Sequence, residues 1–538
     1  MADTAPNSAQ EKPEMARVNP DVENVAHQHK EIVSASRKAS PGFAQLVKNK
    51  RVLGYCLLIF ILPINFGYEL ALVGNILAIP GFLDRYGTTT STGREIPAHD
   101  QQVLNASTNV GIFLAAFTTG FISDMIGRRK VIFLGCTLCI VGIFVQAWST
   151  SILMLFGGKL ISTFGYGMGH ALSPVFVAEI SPDELRGLCL ILVNSMVVIG
   201  QWVCALVGYA GTFIQGDWGW RLPVLVQLAP PAAMLILAIP LLPESPSWLL
   251  VHGKREAAGR SLRKFNGPSH DVEATLALLD ATIEKERELN AQGASYLDCF
   301  RGSNLRRTTI VCMVYLAQQF VGANFVAGYL PYFFTLAGVQ NAVGVAQACY
   351  TVQLFGNICS WFLIDRSGRR PLIVWGCIAM TILLLIIGCL GIARDNKQAL
   401  SAVVALMAIW GFLFQLTLGA AAYAVGGETA TPRLRQKTYS INVMSNTAAA
   451  CLVGQIVPIL INPGNANLGA KVAFVFFGPS LLFSIYLYFC FPEMKGRSYL
   501  ELEEMFQKKI PTRDFGRYTC VMDVVDVDGE KPVVVLRD

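Results

Sequence analysis

The sequence predicts an all-α membrane protein with twelve transmembrane helices arranged as two homologous six-helix halves. Of the 538 residues, 53% are hydrophobic and 15% are charged, whereas soluble proteins carry about 25% charged residues. Apolar stretches of roughly 20 residues, the length that crosses a bilayer, recur about twelve times along the chain. Several polar motifs of the first half return in the same order in the second half.

The apolar stretches divide the chain into five regions. We predict a cytosolic tail over 1–50, a six-helix half over 51–243, a helical cytosolic linker over 244–307, a second half over 308–491 and a cytosolic tail over 492–538. The first six spans are expected near 52–79, 101–123, 130–148, 151–178, 188–212 and 221–241, and the second six near 308–336, 342–364, 371–393, 399–426, 438–461 and 471–491.

Basic residues predict the orientation of the bundle. Ten Lys and Arg residues of the short loops fall on the side of the N-terminal tail and six on the opposite side. Cytosolic loops carry the excess of positive charge, so both tails are expected in the cytosol. Residues 1–50 show no apolar signal-peptide core. We expect a monomer in the lipid bilayer of the plasma membrane, and the net charge of +6, carried by loops and tails, gives no indication of nucleic-acid binding.

The internal repeat is the strongest indication of architecture. The motif DMIGRR at 124–129 returns as DRSGRR at 365–370. Glu179 with Arg186 returns as Glu428 with Arg435, and Pro243-Glu244 returns as Pro492-Glu493. Each of these three motifs lies 241 to 249 residues from its counterpart in the second half. Two homologous halves of this kind are the plan of the major facilitator fold, whose ligand site lies near the middle of the membrane between the halves.

Polar residues inside the seventh span point to a site. Gln318, Gln319 and Asn324 lie within the apolar run 316–332, where an unpaired amide costs about 2–7 kcal/mol. Such side chains face a partner helix or a water-filled cavity. Helical spacing predicts one stripe of Gln318, Gly322, Phe325 and Tyr329. Its mixture of amides and aromatic rings suits a polyhydroxylated ligand, but bonding between helices explains the amides equally well.

The motifs together resemble those of the sugar porters of the major facilitator superfamily. The matching stretches are FGYELALVGNI, DMIGRR, FVAEISPDELRG, PESPSWLL, AQQFVGAN, DRSGRRP, GETATPRLR and PEMKGRS, which span residues 66–498. Two further stretches, RLRQKT and NPGNANLGAKVAFVFFG, are similar to those of fungal α-glucoside (maltose-type) permeases. The resemblance implies uptake of a sugar, an α-glucoside or a hexose, by alternating access.

The resemblance also implies which residues bind the sugar. They are Gln201, Gln318, Gln319, Asn324, Gln353 and Asn446, with Tyr423 as an aromatic neighbour. Amides both donate and accept hydrogen bonds to hydroxyls, and aromatic rings cover the apolar faces of pyranose rings. Two bulky positions of the family are replaced, by Gly328 and by Leu418. This loss of volume suggests a pocket enlarged for a disaccharide, or a shift to a glycoside or another polyol-like compound.

Glu69 and Lys159 are full charges placed inside spans. A rise of ~1.5 Å per residue puts Glu69 about 15 Å and Lys159 about 12 Å from the outer surface, so they can meet. They occupy the slots that hold Asp and Arg in proton-coupled members of the resembling family. We therefore expect proton symport with Glu69 as the protonated carboxylate, and a permanent ion pair is the alternative. His170 is either a proton relay or a packed histidine.

The acid–base motifs at the inner loops are expected to form a cytosolic gate. Ordinary positive-inside anchoring explains arginines in short loops, but not why carboxylates accompany them twice. Similarity to the family implies that the pairs close the cytosolic side in the outward-open state. The predicted gate consists of Asp124, Arg128, Glu179, Arg186, Asp365, Arg369, Glu428 and Arg435.

Other function classes find little support in the residues. The sequence contains no HExxH, P-loop or GxSxG motif, so we expect neither an enzyme nor an ATP-driven pump, no cofactor, and a proton gradient as the energy source. Cys136 and Cys139 are interpreted as packing residues rather than a metal site. A facilitated sugar uniporter and a membrane sugar sensor remain alternatives, although about 47 residues after the last span are short for a signalling tail.

The sequon at Asn105 lies close to the second span, where glycosylation is doubtful.

Overall fold

The computed structural model describes residues 50–536, apart from 91–92, 182, 268–271, 274, 278, 281–282, 285–295, 394–395, 430–433, 496, 498, 517, 519–521 and 526–532. The N-terminal tail and most of the predicted linker helix at 271–292 therefore lie outside the described residues. Within the described part, long helices dominate because a helix satisfies its backbone hydrogen bonds internally, as a segment surrounded by lipid requires.

The first half contains the six predicted spans, each within a few residues of its expected position. Span six is interrupted between two helices, where Gln227 and Leu228 lie. Spans one to five are Lys50–Ile76, Ala98–Ile126, Arg128–Ala147, Ile152–Ile180 and Asp183–Gly211, and span six comprises Trp218–Val226 and Ala229–Leu241.

The second half repeats this plan with two further interruptions. Span seven consists of Gly302–Phe320, a π-helical turn at Asn324–Gly328 and Leu330–Leu336. Span ten is divided into Lys397–Leu416 and Leu418–Thr429. Spans eight, nine and eleven are Ala342–Ser367, Arg369–Leu390 and Arg435–Ile461, and span twelve is Val472–Cys490 after a 3-10 turn at Gly469–Lys471.

Hydropathy by itself detects fewer spans than the fold contains. Ten helices among the described residues are long and apolar enough to cross a membrane. Spans four and eight complete the twelve with 29 and 26 residues, enough for a core of about 30 Å. Both carry polar side chains within the helix, including Lys159 and Gln353. The ten helices together with spans four and eight agree with the twelve apolar stretches found in the sequence.

The helices of each half pack closely where small residues meet. A β-carbon on Gly67 of span one would collide with the backbone of Val197 in span five, and one on Gly200 would collide with the carbonyl of Ile64. In lipid, where apolar surfaces gain little from meeting one another, such close backbone approaches provide the packing contacts that hold helices together.

The two halves meet along two seams. Span two packs against span eleven, and span five packs against span eight. In the second seam the Trp361 indole donates to the Ser195 hydroxyl at 2.7 Å, and the Trp202 indole donates to the Thr351 hydroxyl at 2.9 Å. We call the end of the bundle at which span one begins and span twelve ends the inner end, and the opposite end the outer end.

Shorter elements cover the two ends. At the outer end a helix, Pro80–Tyr86, leads into an antiparallel hairpin of β1, Thr88–Thr90, and β2, Gly93–Glu95, in which Thr89 pairs with Arg94. The inner end carries Pro246–Val251, Arg255–Asn266, Tyr296–Phe300, Tyr499–Gln507, Thr512–Asp514 and a second hairpin of β3, Met522–Val525, with β4, Val533–Leu536. The sequence reasoning did not anticipate either hairpin.

Candidate functional site

A cavity of about 640 Å³ lies between the two halves, within the range of about 300–1,000 Å³ that is common for ligand sites. Its wall is mostly apolar, with a small number of polar groups, which is the usual composition of a small-molecule site. The first half contributes Phe66, Glu69, Asn105, His170, Asn194 and Gln201 to the wall, and the second half contributes Gln318, Gln319, Asn324, Tyr329 and Asn446.

The cavity extends toward the inner end. Its wall includes Ser123, Asp124 and Arg128, at the inner end of span two and the start of span three. It also includes Tyr296, which precedes span seven at the inner end. At the outer end, hydrogen bonds between the halves close it. The cavity is therefore open toward the inner end and closed at the outer end, a state that we call inward-facing.

The outer closure, here called the outer seal, consists of residues 95–105 of the first half together with residues 329–332 and 454–464 of the second. Gln101 Nε2 donates to Asn462 Oδ1 at 2.9 Å, and Asn462 Nδ2 donates to the carbonyl of Ile96 at 2.7 Å. The Tyr332 hydroxyl also donates to Asn462, at 3.2 Å. Asn462 is fully buried. Its amide is therefore the centre of a satisfied polar network between the halves.

Two further contacts extend the outer seal along the seam of spans two and eleven. The side chains of Gln102 and Gln455 each donate to the other's backbone carbonyl, at 2.8 and 3.0 Å. Asn105 Nδ2 donates to the carbonyl of Gly454 at 3.1 Å and also contacts the Tyr329 hydroxyl. Asn105 is buried between the halves, so its sequon is not an exposed glycosylation site in this state.

Glu95 contributes a carboxylate to the outer seal. Its carboxylate accepts the backbone N–H of Gly464 at 3.1 Å. Burial raises the pKa of the Glu95 carboxyl above its ordinary value, and the Gly464 hydrogen bond offsets part of that increase. The sequence reasoning missed the whole seal, because amides at helix ends are common and nothing in their spacing shows that they meet across the halves.

The predicted sugar-binding amides converge only in part. Gln201, Gln318, Gln319, Asn324 and Asn446 all lie on the cavity wall. Gln319 Nε2 donates to Asn446 Oδ1 at 3.0 Å, which joins spans seven and eleven. Gln318 Nε2 donates to the backbone carbonyl of Leu418 at 3.0 Å, at the interruption of span ten. Gln318 thus both lines the cavity and bonds two helices together.

The predicted stripe on span seven is wrong in two of its four members. Gly322 adopts φ of +93°, and the π-helical turn that follows rotates the chain. Phe325 is therefore buried away from the cavity, with its ring 5.2 Å from that of Phe333 and 6.2 Å from that of Phe476. Gln318 and Tyr329 remain on the cavity wall. Helical spacing fails here because the helix is not continuous.

The structure places Gln353 outside the cavity wall. Its buried side chain packs against Gly411 of span ten, where an added β-carbon would lie 2.7 Å from Gln353 Cγ. The side chain of Gln353 thus points away from the cavity that holds the other predicted amides. The side chain of Tyr423 lies outside the described residues.

The two charges inside the membrane meet in a buried ion pair. Lys159 Nζ contacts Glu69 Oε1, and both residues are 1% exposed. Glu69 belongs to the cavity wall, whereas Lys159 lies behind it. The other carboxylate oxygen of Glu69 accepts a hydrogen bond from Gln227 Nε2 at 2.7 Å. The carboxylate is thus held by two donors and remains next to the cavity.

Gln227 is a neighbour of this pair that the sequence reasoning missed. It is fully buried at the interruption of span six, and its Oε1 has no hydrogen-bond partner among the described residues. An amide inside an apolar run is the same signal that identified Gln318. That signal was available at Gln227, where the two adjoining prolines at 230 and 231 also predict an irregular helix.

His170 is packed and also belongs to the cavity wall. Its ring stacks on that of Phe66, with centroids 3.9 Å apart and planes 5° apart. Its Nδ1 is buried and makes no hydrogen bond to a described residue. The stacking agrees with a packed histidine, but the position on the cavity wall leaves the proton relay a prediction.

The predicted cytosolic gate is described for half of its members. Arg128 donates to Asp124 at 2.8 Å and lies 3.6 Å from Glu179. Both contacts stay within the first half, as expected while the inner end is open. Arg369 is described, and the side chains of Arg186, Asp365, Glu428 and Arg435 lie outside the described residues. The gating role therefore stays a prediction.

The repeated Pro-Glu motif has the same structural role in both halves. Glu244 accepts the backbone N–H of Arg129 at 3.2 Å, and Glu493 accepts those of Arg369 and Arg370 at 3.1 Å. Each carboxylate thus caps the first turn of span three or nine, where unpaired N–H groups and the helix dipole favour an anion.

Comparison with known proteins identifies a family. The family model described as "Sugar (and other) transporter" matches residues 55–506. A general alpha-glucoside permease of Saccharomyces cerevisiae is 28% identical, over 84% of this chain and 74% of that protein. The maltose permease MAL61 of Saccharomyces cerevisiae is 27% identical over 92% and 82%. The major facilitator-type transporter ecdD of Aspergillus rugulosus is 27% identical over 84% and 86%.

Solved structures show the same fold. The xylose transporter XylE from E. coli, in a partially occluded inward-open conformation, aligns with a TM-score of 0.69 at 20% identity, over 84% of this chain and 100% of that one. The proton:xylose symporter XylE bound to 6-bromo-6-deoxy-D-glucose aligns with a TM-score of 0.69 at 22% identity, over 85% and 99%. The twelve-helix, two-half architecture is confirmed.

Proposed function

The chain belongs to the sugar transporter family of the major facilitator superfamily, and from this premise we propose that it takes up an α-glucoside by proton symport. It is a multi-pass membrane transporter and not an enzyme. The proposed location is the plasma membrane, with both tails in the cytosol, and the proposed energy source is the proton gradient, without a resident cofactor.

Glu69 carries the proposal of proton coupling. It is a carboxylate on the wall of the central cavity, paired with a lysine that does not itself reach the cavity. Protonation from the outer side would neutralise Glu69 and release Lys159 from the ion pair. Since an unpaired buried charge is costly, the two protonation states favour different helix arrangements. Loss of the proton to the inner side would restore the pair seen in this inward-facing state.

The cavity supports a substrate larger than one sugar ring. Its volume of about 640 Å³ is in the middle of the usual range for ligand sites. Gly328, one of the two replaced bulky positions, belongs to the wall, whereas Leu418 is buried at the interruption of span ten and does not. Two relatives are named for α-glucosides and maltose. An α-linked disaccharide is therefore the proposed substrate.

Uptake by transporter-null yeast tests the proposal. Labelled maltose is supplied to cells that express the wild type, Glu69→Gln or the exposed control Glu256→Gln, while the external pH is recorded. We expect alkalinisation and accumulation for the wild type and the control. Glu69→Gln should abolish accumulation but retain exchange across the membrane.

Three other outcomes would revise the proposal. Downhill uptake without alkalinisation would make the protein a facilitator and Glu69–Lys159 a structural pair. Full accumulation by Glu69→Gln would assign the proton to another group. Transport of no sugar at all would favour a sensor, or a substrate of another class.

A further inference from the structure

We propose that Phe66, His170 and Asn194 form a second subsite, which binds the second pyranose ring of a two-ring α-glucoside. This inference rests on the proposed function and names the substrate class more narrowly. All three residues belong to the wall of the central cavity, on the side of the first half. None of the three is among the residues that the family resemblance assigns to the sugar.

Two unpaired polar atoms indicate that this part of the wall binds a ligand. Asn194 is 7% exposed, and its Nδ2 makes no hydrogen bond to a described residue. His170 Nδ1 is buried and likewise has no partner among the described residues. Buried polar groups are nearly always hydrogen-bonded. The two atoms themselves are shielded, but both residues belong to the cavity wall, so a turn of either side chain brings its unpaired atom to the hydroxyls of a bound sugar.

The stacked pair of Phe66 and His170 supplies the matching apolar surface. The two rings are parallel, with 3.9 Å between centroids, and form one rigid aromatic unit beside the polar atoms. A pyranose ring has an apolar face and a rim of hydroxyls. An aromatic surface bordered by a ring nitrogen and an amide donor is complementary to both. A purely apolar group would leave the amide unpaired, at a cost in free energy.

Helix geometry separates this subsite from the predicted sugar-binding amides. Asn194 and Gln201 both lie on the cavity wall and are two turns apart on span five, which is about 10 Å along the helix axis at ~1.5 Å per residue. Phe66 is one turn from Glu69 on span one, also toward the inner end. One pyranose ring is shorter than this distance. We therefore place the second ring of the ligand on the inner side of the first, beside Asn194.

The experiment compares two sugars that share their first ring. Uptake of labelled maltose and of labelled methyl α-glucoside is measured in transporter-null yeast, and the result is the ratio of the two KM values. His170→Phe keeps an aromatic ring beside Phe66 but removes the nitrogen, and Asn194→Leu removes the amide. Ile161→Ala and Leu206→Ala are controls on the exposed faces of the same two helices.

We expect each subsite variant to raise the ratio of the KM for maltose to the KM for methyl α-glucoside about tenfold, the effect of one lost hydrogen bond. The two controls should keep the wild-type ratio. His170→Gln should restore part of it, since its amide can still bond a hydroxyl. If Asn194→Leu does not reach the membrane, Asn194→Ser replaces it, with a smaller rise expected.

Several results would overturn the proposal. An unchanged ratio in both variants, or an equal rise in both KM values, would make the residues structural. Loss of accumulation of both sugars at an unchanged ratio in His170→Phe would make His170 a proton relay. Transport of methyl α-glucoside but not of maltose by the wild type would remove the second-ring subsite and leave sugar transport intact. Transport of neither sugar would remove the proposed function together with the subsite.

Discussion

The buried carboxylate of Glu69 has two donors, and they differ in what each can do when a proton arrives. Lys159 carries a charge, so it stabilises only the ionised carboxylate. Gln227 is neutral, and its amide carries a donor on one side and an acceptor on the other. Its unpaired Oε1 shows that the acceptor is not committed elsewhere. A rotated amide can therefore bond a protonated Glu69, and in the proposed symport we expect Gln227 to position the carboxyl in both states.

At the residue scale, Gln227→Leu should shift the pH dependence of uptake. Without the amide donor the ionised form of Glu69 loses a charge-assisted hydrogen bond, worth about 1–3 kcal/mol. The pH profile of maltose accumulation by the variant should therefore differ from that of the wild type. The measurement is accumulation against external pH in transporter-null yeast.

The control for this variant is Gln398→Leu, an exposed glutamine at the start of span ten. Its pH profile should coincide with that of the wild type. A Gln227→Leu profile that also coincides with the wild type would show that Gln227 only fills space beside Glu69.

At the element scale, span one approaches span seven more closely than side chains allow. A β-carbon on Gly74 would collide with the carbonyl oxygen of Gly328, which lies in the π-helical turn. This contact joins the two halves in the inward-facing state. The obstacle is backbone, so no change of rotamer can relieve it. Glycine at 74 is therefore required for closure of the outer end.

Gly74→Val should hold the transporter outward-open. Net uptake should fall at least tenfold, since overpacking costs about 1–3 kcal/mol or more. Labelling by an impermeant maleimide should rise from the outer side at Asn109→Cys and fall from the inner side at Ser123→Cys. The labelling of each added cysteine is compared with the labelling of the same protein without that cysteine.

Gly54→Ala provides the matched control on the same helix, because nothing lies within 4 Å of an added β-carbon there. It should transport like the wild type. Equal labelling from both sides in Gly74→Val and in the wild type would show that spans one and seven separate without the glycine contact.

At the scale of the whole molecule, we expect the outer seal to couple the arrangement of the halves to the pH at the outer end. Closure buries Glu95 against Gly464 and raises the pKa of its carboxyl. A carboxyl with a raised pKa binds its proton more tightly in the closed state than in the open one. The stabilisation of the closed state by this proton is fully present below the pKa of Glu95 in the open state, near the usual value of about 4.3. It is lost as the pH rises through the raised value.

Acidification of the outer side should therefore increase the inward-facing fraction, and Glu95→Gln should flatten that dependence. The fraction can be measured with a fluorophore pair across the outer ends of spans two and eleven, in proteoliposomes between about pH 4 and 7. Asp84→Asn, an exposed carboxylate of the same outer loop, should keep the wild-type dependence. A slope in Glu95→Gln equal to that of the wild type would place the titrating group elsewhere.

Much of this protein followed from the sequence, and the reason is physical. Hydrocarbon requires apolar helices of a fixed length, and the echo of DMIGRR, Glu179 and Pro243-Glu244 in the second half predicted the twelve-helix plan. Helical rise also gave the depth of Glu69 and Lys159, since depth in a membrane depends only on counting residues. The five amides that the family resemblance implied also lie on the wall of one cavity, namely Gln201, Gln318, Gln319, Asn324 and Asn446.

What the sequence could not determine is the direction of side chains around each helix and which groups meet between spans. The turn at Gly322 rotates Phe325 out of the cavity, and the packing of Gln353 against Gly411 does the same in span eight. Gln227 beside Glu69, the outer seal around Asn462 and the unpaired atoms of His170 and Asn194 depend on distances across the bundle. Depth is a property of one helix, whereas these contacts depend on the mutual rotation of several helices, which only the tertiary structure determines.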